Sequence, residues 1–62
     1  MKPMAFVILI NKFGEFANSA IALRFNMKLN AAGNFAGWLS PQQVDELREG
    51  GFAYKIIDYK FA

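Results

Sequence analysis

The apolar positions of this chain fall into three patterns, and each predicts a different element. Phe6-Val7-Ile8-Leu9-Ile10 is apolar at every step and rich in branched side chains. That is the pattern of a strand covered on both faces, so Met4 to Phe13 reads as a first strand. From Ile21 to Asn30 the chain alternates, with Ile21, Leu23, Phe25, Met27 and Leu29 set against Ala22, Arg24, Asn26, Lys28 and Asn30. Successive strand residues point to opposite faces, so this decad predicts a half-buried second strand. Its Ala, Leu, Met, Lys and Arg content leans helical by propensity. A helical winding, however, puts Ile21, Phe25 and Leu29 on one stripe and turns Leu23 and Met27 away, and the alternation decides. In the third pattern, Phe52, Tyr54 and Ile56 share one parity while Ile57, Tyr59 and Phe61 share the other. The change at Ile56-Ile57 predicts a bulge, or a strand sandwiched on both sides.

Between these runs the punctuation is local. Gly14 to Ser19 reads as a connection, with Gly14, Asn18 and Ser19 as turn formers. Ala31-Ala32-Gly33-Asn34 predicts a hairpin turn with Gly33 at positive φ, and Phe35 to Leu39 a short third strand weakened by Gly37. A helix is marked over Pro41 to Glu49. Ser40 is its N-cap, Pro41 its first residue and Gln43 the partner in a capping box, while Leu39 and Val44 form a hydrophobic staple. Gly50 and Gly51 end it, with Gly50 as the expected left-handed residue. Val44 and Leu47 face inward; Gln42, Asp45, Glu46 and Glu49 face water. The predicted fold is α+β, a small single-layer, mostly antiparallel sheet of about four strands (β-β-β-α-β) with one short helix on one face. Residues 1–62 make one small domain.

Composition sharpens this. A chain of 62 residues has a core that rarely supplies more than about 3–5 kcal/mol. With no Cys and no His, disulfides, thiolate zinc sites and imidazole chemistry are excluded. A hydrophobic fraction of 55%, including seven Phe, is a heavy apolar load that a homodimer sharing a sheet face or edge would bury. Lys2, the run Met4 to Ile10 and Ala17-Asn18-Ser19 loosely imitate a secretory signal. Lys12 and Glu15 interrupt it, and the run is read as a buried strand. No run approaches the ~20 apolar residues of a membrane span, so a cytoplasmic location is expected.

The candidate chemistry is sparse. There is no Thr and there are only two Ser; Ser40 is committed to capping and Ser19 has no base nearby. No catalytic residues, metal site or cofactor are expected. Asp45 and Glu49 share a helix face that a divalent cation could bridge, but a solvated face screened by Arg48 is the better explanation. The first binding candidate is the polar side of the alternating decad: Arg24, Asn26, Lys28 and Asn30. Their strand spacing of about 7 Å suits successive phosphates, and Lys12, Lys55 and Lys60 extend the patch if their strands adjoin; an ordinary solvated sheet face, or basic residues blunting an edge strand, is the favoured reading. The second is the glycine-flanked aromatic pair Phe35 and Trp38, with Trp38 the one expected to pack inward, near Leu39 and Val44. The third is the acidic helix face of Gln42, Asp45, Glu46 and Glu49, whose sign opposes the strand face and steers charged partners.

With a net charge of +2 and no dense basic stripe, the leading expectation is a non-catalytic homodimeric protein. It would modulate or inhibit a larger protein partner by contact, as small accessory factors of phages or mobile elements do. The alternative is a nucleic-acid-binding module using the basic strand face and the aromatic hairpin.

Overall fold

The computed structural model describes residues 3–10 and 15–61, with the side chains of residues 15 and 16 left aside. Six elements follow in order: β1 (Pro3–Leu9), α1 (Glu15–Arg24), β2 (Lys28–Leu29), β3 (Phe35–Leu39), α2 (Pro41–Glu49) and β4 (Tyr54–Phe61). The strands form one sheet in the order β2-β3-β1-β4, every neighbouring pair antiparallel. The α+β class and the four-stranded antiparallel sheet match the sequence reading. The helix count does not: there are two helices, and β-α-β-β-α-β is the split β-α-β, ferredoxin-like order of elements.

The added helix falls where the sequence predicts a connection and half of a strand. Asn18, Ile21, Ala22 and Phe25 are all buried, and their i, i+3, i+4, i+7 spacing is one helical stripe continued into the first residue past α1. Leu23, which the alternation assigns to the core, is 84% exposed. The helix ends because Asn26 takes a left-handed conformation, φ 59°. The Met27 N–H then donates to the Ala22 carbonyl at 2.9 Å, the longer bond of a Schellman cap with Asn in the glycine position. The reversal brings Met27 into the core from outside the helix. The alternating decad is thus divided among a helix, a turn and a two-residue strand. The part of the first-strand prediction that covers residues 11–13 lies outside the described residues.

Helix α2 matches its local signals. The Gln43 N–H donates to Ser40 Oγ at 3.3 Å and the Ser40 N–H to Gln43 Oε1 at 2.9 Å, closing the capping box. The left-handed residue at its end is Gly51, φ 79°, while Gly50 stays in the right-handed region. Phe52 N–H donates to the Leu47 carbonyl and Gly51 N–H to that of Arg48, so the cap sits one residue later than predicted. Replacing Ser40 by Ala removes one half of the box, and we expect a loss of about 1 kcal/mol. For a domain this small that is a fall in Tm of roughly 4–8 °C. An unchanged melting curve would show that the box contributes nothing.

Both helices cover the same side of the sheet. Ala5, Val7 and Leu9 of β1 and Leu39 of β3 pack with Ile21, Ala22, Phe25 and Met27 and with Leu47 of α2, while Phe35, Val44, Phe52, Tyr54 and Ile56 close the periphery. Gly37 faces this core, where an added Cβ would lie 3.3 Å from the Met27 Cα; the strand carries glycine because the chain after α1 passes so close. The parity change in β4 is a bulge. Phe6 is opposite Asp58 and Val7 opposite Ile56, leaving Ile57 as the extra residue. The bulge returns Tyr59, opposite Ala5, to the side of Ile56.

Candidate functional site

Because both helices lie on one side, no described element covers the other side of the sheet. Partners directly across an antiparallel pair share a face, so the register maps this open side. One row runs Lys28, Ala36, Ile8, Lys55 through all four strands; the next is Trp38, Phe6, Asp58; a third is Met4, Lys60. Apolar side chains occupy the two central strands, and Lys28, Lys55 and Lys60, with Asp58 among them, the two outer ones. At about 4.8 Å per strand, Lys28 and Lys55 bracket a platform roughly 15 Å wide.

At its centre Phe6 and Trp38 meet edge to face, their ring centroids 5.1 Å apart and their planes at 62°. The Lys60 ammonium lies 4.4 Å from the Trp38 ring centroid, a contact attractive through the ring quadrupole. Met4, Phe6, Ile8 and Trp38 are all half-buried, screened by one another and by lysine stems. Beside the aromatic pair an open groove of about 490 Å³ runs past Ala36 and Lys28 to Asn26 and Asn30.

The sequence-predicted residues are only partly brought together. Lys28 and Trp38 lie on the open face. Arg24 does not: at the end of α1 its Nη2 donates to Glu46 Oε2 of α2 at 3.0 Å. That exposed pair contributes no more than about 1 kcal/mol and ties the helices together. Asn26 forms the helix cap. Asn30 holds the hairpin, its Oδ1 accepting from the Ala32 and Asn34 N–H groups at 3.0 and 2.9 Å, around Gly33 at φ 85°. The basic row is therefore dispersed, since only two of its ten parent residues remain in a strand.

Phe35 and Trp38 are exchanged relative to expectation. Phe35 packs against the core cluster, and Trp38 faces the open side. Leu39, fully buried beside the N-cap, fixes the parity of β3 and sends Trp38 outward; the staple carried this signal. Phe6 was hidden in a run apolar at every position. Lys55 and Lys60 join the patch because β4 adjoins β1, while Lys12 lies outside the described residues.

The acidic face of α2 is exposed as expected at Gln42, Asp45, Glu46 and Glu49. Asp45 pairs with Arg48 and Glu46 with Arg24, so its charge is partly neutralised. Among the described residues no group of three or more Asp or Glu converges as a metal-ion site. No helix there is long and apolar enough to cross a membrane.

No protein-family model matches the chain, and no curated protein or solved structure matches it significantly.

Proposed function

We propose that this chain is a non-catalytic, cytoplasmic binding module whose open sheet face holds single-stranded nucleic acid. The observation that carries the reading is the Phe6–Trp38 pair at the centre of a sheet face that no described element covers, flanked by Lys28, Lys55 and Lys60. Unstacked bases gain about 1–3 kcal/mol each on aromatic side chains. Displacing the Lys60 ammonium from Trp38 costs about 0.5–1 kcal/mol at an exposed site, and the freed cation is then available to a phosphate. Stacking therefore wins. A duplex offers no free base faces, so single strands are the preferred ligand. Asp58 opposes phosphate at one edge and directs the strand toward Lys28 and the groove beside Asn26.

Trp38 is the only tryptophan, so its emission reports directly on the site. We expect quenching by a single-stranded oligonucleotide at low salt and little by the matching duplex. Changing Lys28, Lys55 and Lys60 together to Ala should flatten the plot of log affinity against log salt by about 2 units of slope. Emission indifferent to single strands at low salt would overturn the proposal.

A contact that modulates or inhibits a larger protein is the second reading. It is favoured by Ile57, Tyr59 and Phe61, which stand 51%, 64% and 71% exposed on the outer strand β4.

A further inference from the structure

We propose that β4 is a self-recognition edge, on which a second copy of the chain pairs antiparallel about a two-fold axis at Tyr59. This inference does not rest on the nucleic-acid reading, although both draw on Lys60. Strand β4 lies at one end of the sheet, and no described strand pairs with its outer edge. The Tyr59 N–H donates to Asp58 Oδ1, an exposed side-chain oxygen, at 2.8 Å. This amide therefore faces the outer edge, where only an adjacent side chain satisfies it. Three of the six large exposed apolar side chains among the described residues, Ile57, Tyr59 and Phe61, belong to this one strand.

The charge pattern selects the register. With Tyr59 opposite Tyr59, Asp58 lies opposite the second copy's Lys60, and Lys60 opposite its Asp58. Ile57 then meets Phe61 at both ends. Sliding the second strand two residues either way sets Asp58 against Asp58 or Lys60 against Lys60, and like charges directly opposite are destabilising. Because the two-fold axis stands perpendicular to the sheet, the ionic pairs lie on the open side and the apolar pairs on the helix side, matching the faces these residues already occupy.

The bulge at Ile57 keeps the regular ladder short, so apolar contact must supply most of the association. Beside β4, on the helix side, Pro3, Ala5, Pro41, Val44, Ile56 and Tyr59 border a mostly apolar groove of about 210 Å³. The second copy's Phe61 has its place there. A stable interface buries about 1,200 Å² or more, which edge pairing alone does not reach; the seated rings bring in the flank of α2. The contact is isologous and closes on itself. The far edge is β2, only two residues long, too short to continue the sheet into a fibre.

The test is sedimentation equilibrium on nuclease-treated protein at tens of micromolar, where the wild type should run at twice the 7.0 kDa chain mass. Asp58→Lys alone and Lys60→Asp alone each place like charges opposite one another at two sites. Each should weaken the dimer by about tenfold or more. Mixing the two variants restores both opposite-charge pairs and should recover the dimer. Phe61→Ser, at an exposed position, should weaken it without lowering the thermal midpoint of the dissociated chain. A wild type at monomer mass throughout would overturn the proposal. So would single variants that dimerise like the wild type, or a mixture that fails to recover.

Discussion

Leu47→Ala leaves most of the chain unfolded at room temperature. Leu47 is fully buried and is the only residue of α2 in that state. A nine-residue helix does not hold by itself, so its place on the sheet depends on this anchor, helped by half-buried Val44. Truncating a buried leucine costs about 2.7–5.0 kcal/mol, the removed apolar surface plus the cavity left behind. A single core of this size supplies about 3–5 kcal/mol, so the loss approaches the whole stability. Losing α2 also uncovers Leu39 and Val7, both without solvent contact in the intact fold. Circular dichroism and a urea titration would read this as a missing native baseline. A variant that keeps a cooperative transition with a midpoint only slightly lowered would show that the core is larger than these residues, as a covering second copy would make it.

Phe6→Leu combined with Trp38→Leu weakens single-strand binding by about 30-fold or more while the fold persists. Both side chains are half-buried on the open face, and leucine keeps apolar cover over the central strands. What disappears is the pair of π faces, on which stacked bases gain about 1–3 kcal/mol each. Together that is a loss of roughly 30-fold to more than a thousandfold in affinity. The lysines remain, so the residual weak binding keeps its salt dependence. Fluorescence anisotropy of a labelled oligonucleotide measures both quantities. Affinity within a few-fold of the wild type would mean that charge alone attracts the strand and the aromatic pair has no part in it.

The reach of sequence reasoning differs element by element. Helix α2 was legible from end to end because Ser40, Pro41, Gln43, Val44 and the two glycines act within one or two turns, through bonds to their own neighbours. The displacement of its left-handed residue from Gly50 to Gly51 is a single-position error in such a signal. The turn at Gly33 was legible for the same reason, whereas the parity change at Ile56-Ile57 left a bulge and a two-sided strand open until the pairing with β1 decided for the bulge. Helix α1 was not, because its buried stripe contains Asn18 and Ala22, a polar and a small side chain that carry little apolar signal. Meanwhile exposed Leu23 and the off-helix Met27 completed a false alternation. Propensity pointed the right way there and periodicity did not.

The candidate site shows the same division. Lys28 and Trp38 were identified individually, but Arg24, Asn26 and Asn30 serve a helix pair, a cap and a turn. Phe6, Lys55 and Lys60 entered only when β1 proved to lie between β3 and β4.

By itself the sequence determined the α+β class, the second helix with its N-terminal capping box, and a chemistry without imidazole, thiol or threonine. These follow from composition and from interactions spanning a few residues. The tertiary structure decided that the alternating decad breaks at Asn26, that both helices cover one side of the sheet, and that an aromatic pair framed by lysines faces outward on the other. Those outcomes depend on contacts between residues far apart in the chain, where burial, not local pattern, selects the conformation.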